Sequence, residues 1–572
     1  MIFKLILILC AQQYVLSSTG KPHIITIIAD DLGWNDVGFH GSDQIPTPNI
    51  DALAYNGLIL NRHYTQPTCT PSRAALMTGK YPIRLGLQGQ PITPNVKVGL
   101  PLTEKILPQH LKDLGYVTRL IGKWHLGHYT YDFTPTKRGF DSHFGYYNGW
   151  IRYNDSVLTA GNKKWGYDAW NNHDRAADRF KGKYATDVFT EEAVNIIKNH
   201  DTSTPLFLDV SHVAVHAGFN NLLQVRNEQE NNERFANIED QHRRLFAGVL
   251  TALDESVGKL MVALDEKNML ENSIILFIAD NGGATMESAG NEKSKFKNSA
   301  SNWPLRGMKS SITEGGVRGV AAIWSPLFKS RANSVSNTMV HLTDWLPTFY
   351  AAAGGDIGKL GIIDGVNQWP YLTGKENSPA RKELLINFNE KNNDGALIID
   401  DWKFIRVNNS RSVEYSGVSG RDSIYSYSME KVLQTKTHTI LNKFPKNDIS
   451  DPASKFAQLR SESTISENCK DRINVLGCFR KGCLFNIKND PCEFNDQSEN
   501  KQDLRIEYEK KLNSYRDQVV PQQNIDEDKD YDPKKFGNYW TPWVNSFGSV
   551  IAPRISTLLV GEIIIFLMYI KQ

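Results

Sequence analysis

Continuous apolar runs that stop abruptly at polar or glycine-rich residues recur along the first half of the chain. Ile24-Ile25-Thr26-Ile27-Ile28-Ala29 stops at Asp30-Asp31-Leu32-Gly33, and Tyr116-Val117-Thr118-Arg119-Leu120-Ile121 stops at Gly122-Lys123-Trp124-His125. Leu206-Phe207-Leu208-Asp209-Val210 runs on toward His216, and Ser273-Ile274-Ile275-Leu276-Phe277-Ile278-Ala279 stops at Asp280-Asn281-Gly282-Gly283. A run that is apolar at both alternating positions is buried on both faces, as the strands of a parallel sheet are. Between these runs lie helical stretches, Leu107 to Leu114, Thr186 to Lys198 and Gln241 to Leu264, the last with apolar residues three and four apart. Strand alternating with helix predicts an α/β fold, a large and mostly parallel sheet flanked by helices. In such sheets ligands bind beyond the carboxyl ends of the strands, where each of these polar clusters falls.

After about residue 375 the texture changes. Leu384 to Ile386, Ala396 to Ile399 and Trp402-Lys403-Phe404-Ile405 are short strand-like pieces joined by polar turns, and residues 408–470 are rich in Ser, Asn and Lys. The expected organisation is a leader at 1–18, the large sheet domain at 19–375, a smaller C-terminal α+β domain at 376–545 and an apolar tail at 546–572.

Composition narrows the classes. The chain has 572 residues, 40% hydrophobic and 22% charged, which excludes a disordered chain and leaves ample length for a core. Lys and Arg number 65 against 63 Asp and Glu, a net charge of +2. So small an imbalance gives no footprint for a nucleic acid or a membrane surface.

The ends point to a compartment. A basic start at Lys4, an apolar run from Leu5 to Cys10 and small residues at Ser17 and Ser18 form a secretory signal peptide, too short to span a bilayer. The sequons at Asn154-Asp155-Ser156 and Asn408-Asn409-Ser410 agree with secretion. The apolar tail from Ile555 to Ile570, preceded by Ser546, Gly548 and Ser549, loosely fits a GPI-attachment signal, which would be the only link to a membrane. The destination is then lysosomal or extracellular. Without Cys10, five cysteines remain. Cys469, Cys478, Cys483 and Cys492 cluster and lack a CxxC pair or a neighbouring His, so two disulfides are expected rather than zinc, with three connectivities open. Cys69 is left as the odd thiol.

The strand ends carry the candidate chemistry. Asp30, Asp31, Asp280 and Asn281 are all oxygen donors, and crowded carboxylates call for a compensating cation. Oxygen ligation selects a hard divalent ion, Ca2+ or Mg2+. In Cys69-Thr70-Pro71-Ser72-Arg73, Pro71 and Ser72 suit the start of a helix, which places Cys69 at a helix N-terminus where an anion is stabilised. Arg73 adds a permanent charge suited to a tetrahedral oxyanion. His212 and His216 lie four apart, but on a strand-like segment one metal would not take both; His212 reads as structural, His128 as a surface residue and Trp124 as packing.

The Cys-x-Pro-Ser-Arg stretch with Thr78-Gly79 downstream resembles the signature of the type I sulfatases. The resemblance extends to Ala29-Asp30-Asp31-Leu32-Gly33, Gly122-Lys123-Trp124-His125-Leu126-Gly127, Ala214-Val215-His216, Asp280-Asn281-Gly282-Gly283, Trp303-Pro304-Leu305-Arg306-Gly307 with Lys309, and Glu314-Gly315-Gly316-Val317-Arg318-Gly319. The last block and Asp490-Pro491-Cys492-Glu493 look closest to arylsulfatase B, whose substrate class is N-acetylgalactosamine 4-sulfate in glycosaminoglycans. Lys80, where the signature usually has Arg, and Ala217-Gly218 after His216 depart from the pattern.

The resemblance implies an alkaline-phosphatase-like fold and a sulfuric ester hydrolase. It implies that a formylglycine-generating enzyme converts Cys69 to an aldehyde, whose hydrate is the nucleophile. One Ca2+ would be held by Asp30, Asp31, Asp280, Asn281 and residue 69. Arg73 would orient the diol, Lys123, His216 and Lys309 would clamp the sulfate, and His125 would assist proton transfer. His216 or Lys309 would protonate the leaving oxygen. The substrate would be a sulfated carbohydrate or a small sulfate ester. Two other functions fit the same residues: a phosphoester or phosphonate hydrolase on this scaffold, or a non-catalytic sulfoglycan-binding protein if Cys69 stays a thiol.

Overall fold

In the computed structural model, the first apolar run forms the strand His23–Ala29, every residue of which is buried. The structure describes residues 20–545 apart from 161–162, 219–221, 286–298, 378–380, 409–415, 421–426, 445–448, 466–475 and 524–525. The signal-peptide and tail readings and Cys469 therefore fall outside the described residues.

The side chains of this strand alternate between two cores. Ile25, Ile27 and Ala29 enter one, Ile24 and Ile28 the other. The first core is roofed by the helices Pro48–Asn56, Ala185–Asn199 and Gln241–Glu266, and the second by Cys69–Thr78, Leu107–Asp113 and Trp345–Ala352. Burial on both faces is why the run shows no polar alternation; each such side chain is worth ~1.5–3 kcal/mol.

The sheet has ten strands, and its middle is parallel. In spatial order Ser273–Ala279, His23–Ala29, Leu206–Ser211, Val117–Lys123 and Ser142–Tyr146 all run the same way. Antiparallel neighbours extend both sides, Ala321–Trp324 on one and Trp170–Asn171 on the other. The register pairs Ala29 with Ala279, Ile28 with Ser211, and Ser211 with Gly122. Asp30, Asp280, His212 and Lys123 therefore leave the sheet along one edge.

Two expectations change. The strand from Leu206 ends at Ser211, and residues 212–216 form an irregular turn. That turn is zipped to the first strand's exit: Asp30 N donates to Ala214 O at 2.9 Å and Val215 N to Asp30 O at 2.8 Å. Within 408–470, the helices Met429–Leu433, Lys436–Leu441 and Pro452–Ser463 lie on the large sheet's helical layer. Val432, Ile440, Leu441, Phe456 and Leu459 join the first core.

The smaller sheet is antiparallel: Glu383–Asn389, Asp394–Ile399, Trp402–Arg406 and Cys483–Asn486. Cys478 and Cys483 form a disulfide beside it, and Cys492 is also disulfide-bonded. Lys403 ties this sheet to the large one. Its buried ammonium lies 2.9 Å from Glu314 Oε1 and 2.8 Å from Glu493 Oε1. Among the described residues, no helix is long and apolar enough to cross a membrane.

Candidate active site

The first strand leaves the sheet through Asp31, whose φ of +65° is left-handed. That conformation is held by Asp31 N donating to Asp280 Oδ1 at 3.3 Å and by Asn281 Nδ2 donating to Asp31 Oδ1 at 2.7 Å. His125, leaving the Val117–Lys123 strand, has φ of +59°. Such backbone costs ~1–3 kcal/mol per non-glycine residue, and it aims side chains that a relaxed exit would send elsewhere. At Gly122 the reason for glycine is direct: its φ is +91°, and a Cβ there would lie 1.9 Å from Ser211 O.

Cys69 opens the helix Cys69–Thr78, with Thr68 at the N-cap position. It is a buried free thiol. Burial raises its pKa, Lys123 and Lys309 pull it down, and Asp30 and Asp280 push it back up. The residue that sequence singled out thus lies within electrostatic reach of Asp30, Lys123, Asp280 and Lys309. One helical turn on, Arg73 donates from Nε and Nη2 to Asp280 Oδ2 at 3.2 and 3.0 Å, and from Nη1 to Lys123 O at 3.3 Å.

The cations pair with the carboxylates. Lys123 Nζ lies 2.6 Å from Asp30 Oδ2, and Lys309 Nζ lies 2.7 Å from Asp31 Oδ1. His216 Nε2 stands 3.5 Å from Asp31 Oδ2, while its Nδ1 shares a hydrogen bond with Ala217 O. His125 Nε2 meets Ile92 O at 2.8 Å, and Thr70 Oγ1 donates to His125 O at 3.2 Å. A carbonyl only accepts, so Nε2 of His125 carries the hydrogen and Nδ1 is its basic nitrogen.

Electrostatics divides the two aspartates. Burial and the Asp280 charge raise the Asp30 carboxyl well above the usual range, only partly offset by Lys123. Burial would raise Asp31 too, but Lys309 and His216 hold it below its ordinary value. Burial, then Lys309, pushes His216 down to about 3 against the pull of Asp31. Burial and Lys123 put His125 well below its usual value. Burial would lower Lys309, but the charges of Asp31, Cys69 and Asp30 together hold it above its ordinary range.

The donor set suits a cation. Asp30 Oδ1 and Asn281 Oδ1 are buried oxygens with no hydrogen-bond partner among the described residues. Orphaned buried acceptors are costly, and a hard cation would satisfy both while restoring the Asp30 carboxylate. Asp30, Asp31 and His216 also offer ligand atoms within 4.8 Å of one another, which sets His216 at the edge of the same cradle.

Every residue named from the sequence as catalytic or metal-binding lies in or against this cluster. Three neighbours are placed differently or more firmly. His128 is buried, not at the surface, with its ring 5.4 Å from that of Trp543. His212 is structural, hydrogen-bonded to Ser256 at 3.0 Å. Trp124 is packing, its Nε1 donating to Phe133 O at 2.9 Å. Sequence reasoning missed Asn302, whose side chain accepts from Gly283 N at 2.8 Å and donates to Gly283 O at 2.9 Å, bracing the Asp280-to-Gly283 turn. It also missed Gly149 and Trp150, which lie over His125 and beside His216.

A cluster of a helix N-terminus, Arg73, two lysines and an oxygen cradle suits a tetrahedral oxyanion. Comparison with known proteins gives the class its name. Residues 22–355 match the sulfatase family, and the chain belongs to it. Arylsulfatase J of Mus musculus is 34% identical over 527 residues, covering 92% of this chain and 81% of its own. N-acetylgalactosamine-6-sulfatase of Homo sapiens is 31% identical over 376 residues, covering 61% of this chain and 66% of its own. Among solved structures, Ps i-CgsB in complex with k-i-k-neocarrahexaose superposes with a TM-score of 0.66 at 28% identity, covering 91% of this chain and 96% of that one. The fold is that of the sulfatases, and sulfate-ester hydrolysis is the reaction class of the family. The likeness to arylsulfatase B is approximate.

Proposed function

We propose that this chain hydrolyses the sulfate ester of a sulfated carbohydrate, with an N-acetylgalactosamine sulfate as substrate. The observation that carries the reading is the position of Cys69: a buried thiol that opens a helix and feels the charges of Lys123, Lys309, Asp30 and Asp280. A relative named N-acetylgalactosamine-6-sulfatase and a similar structure solved with a neocarrahexaose support the substrate class.

Conversion of Cys69 to formylglycine by the formylglycine-generating enzyme would supply a hydrated carbonyl as nucleophile. Asp30, Asp31, Asp280, Asn281 and residue 69 would hold one Ca2+, or Mg2+ in its place, and the ion would favour the ionised nucleophile. The chain's own residues do the rest. Arg73, fixed by two bonds to Asp280, would orient the nucleophile and offset negative charge. Lys123 and Lys309 share their ammonium protons between the aspartates and the sulfate oxygens, where charge grows in the transition state. Nδ1 of His125 takes a proton from the residue-69 side. Lys309 is protonated in the free site, whereas His216 becomes a donor only when an anion lies against it. Exposed Asn154 and the disulfides suit a secretory-pathway protein, lysosomal or extracellular.

A release screen tests this reading. Full-length protein from a eukaryotic secretory host should free inorganic sulfate from N-acetylgalactosamine 4- or 6-sulfate, and act at least about tenfold faster on p-nitrophenyl sulfate than on p-nitrophenyl phosphate. Faster phosphate release would make it a phosphoester hydrolase on this fold. Binding of the sulfated sugars without release would make it a sulfoglycan-binding protein.

A further inference from the structure

The segment after the strand Ser142–Tyr146 crosses both site histidines. His125 N donates to Tyr147 O at 3.0 Å. Gly149 then passes close against the His125 ring: a Cβ there would fall 2.8 Å from Cε1 and 3.1 Å from Nε2. Only a residue without a side chain passes this close. Trp150 follows, and its ring is parallel to that of His216, with 1° between the planes and 6.2 Å between centroids.

This strap is pinned. The buried Asp168 carboxylate accepts from Tyr147 N at 3.0 Å, Asn148 N at 2.9 Å, Asn148 Nδ2 at 2.8 Å and Trp170 Nε1 at 2.9 Å. Trp150 itself packs against a small cluster that includes Leu158, Tyr531 and Trp540. The indole is thus held in place yet only half-buried. Parallel rings whose centroids are 6.2 Å apart are displaced sideways, so the imidazole covers only part of the indole face. Arg152, two residues on, is paired with Asp155, its Nε donating to Oδ1 at 2.9 Å.

We infer that Trp150 is the platform on which the sugar ring of the substrate stacks, and so a specificity-determining residue. The inference rests on the proposed function for the placement of the sulfate. With the sulfate against Lys123, Lys309 and His216, a sugar joined through the ester oxygen on the His216 side would extend over the indole, whose plane is parallel to that imidazole. A pyranose presents a face of C–H groups that an aromatic face accepts, while its hydroxyls stay in water. The chemical class is therefore a sulfated pyranose with no further charge required on the stacked ring.

The test separates the sugar from the sulfate. In Trp150→Ala, KM for N-acetylgalactosamine sulfate should rise about tenfold or more, with the loss falling on KM rather than kcat. Trp150→Phe should recover most of it. Competitive inhibition by inorganic sulfate, which has no ring, should keep its constant within about twofold. A second arm needs no turnover: calorimetric binding of the same sugar sulfate to Cys69→Ala protein should weaken by the same factor when Trp150→Ala is added. That arm reads the stacking even if no sulfate ester is hydrolysed. An unchanged KM and unchanged sugar binding would overturn the inference. So would a parallel loss of sulfate inhibition, which would mean that Trp150 only supports His216.

Discussion

The Cys69→Ser protein is expected to release at most one equivalent of alcohol per chain and then stop. Serine sets a hydroxyl at the same helix N-terminus, among the same cations, so attack on sulfur remains geometrically open. In that step the oxygen of the introduced serine bonds to sulfur, the ester oxygen leaves with a proton, and a sulfate monoester of serine remains. A formylglycine hydrate carries a second hydroxyl on the same carbon, whose electrons expel sulfate and regenerate the carbonyl. Serine has none, so the sulfated side chain persists. Pre-steady-state alcohol release and the mass of the intact protein afterwards read the two halves of this result. Sustained turnover by the serine variant would show that hydrolysis does not need the aldehyde.

The second large effect is at Asp280. Asp280→Ala removes one of three carboxylates from the cradle and the oxygen that accepts from both Nε and Nη2 of Arg73. Activity should fall about a hundredfold or more, with loss of stoichiometric Ca2+. Leaving Arg73 buried without its carboxylate also costs ~3–5 kcal/mol of stability. Asp280→Asn therefore accompanies it, because Asn keeps the volume and an acceptor for Arg73 while removing the charge. A folded Asp280→Asn protein that loses the metal and the activity assigns the effect to the cradle. Near-normal turnover with stoichiometric metal in that variant would exclude Asp280 as a ligand.

Much of this site was legible because its elements are local. Strands buried on both faces announce themselves as unbroken apolar runs, and their ends mark the catalytic edge of a parallel sheet. Asp30-Asp31 and Asp280-Asn281 stand immediately after such runs, and Cys69 stands at the start of its helix. What escaped is non-local. The apolar run through Val213 to Val215 hides a chain that has left the sheet, because its backbone bonds go to Asp30 rather than to a strand neighbour. Trp150 gains its place from Asp168, eighteen residues away and without periodicity, and from aromatic residues near 540. His128 lies against Trp543 for the same reason. The short helices between 429 and 463 are polar along most of their length, and their few apolar residues reveal a role only beside the Pro48–Asn56 helix.

The central claim is that residue 69 is not a cysteine in the working protein. Peptide mass spectrometry of the chain secreted from a eukaryotic host with a competent modifying enzyme measures it directly. The account predicts a Thr68–Arg73 segment lighter than its cysteine form and reactive toward a hydrazine, as an aldehyde is. Only unmodified Cys69, in protein that nevertheless hydrolyses sulfate esters at full rate, would contradict it.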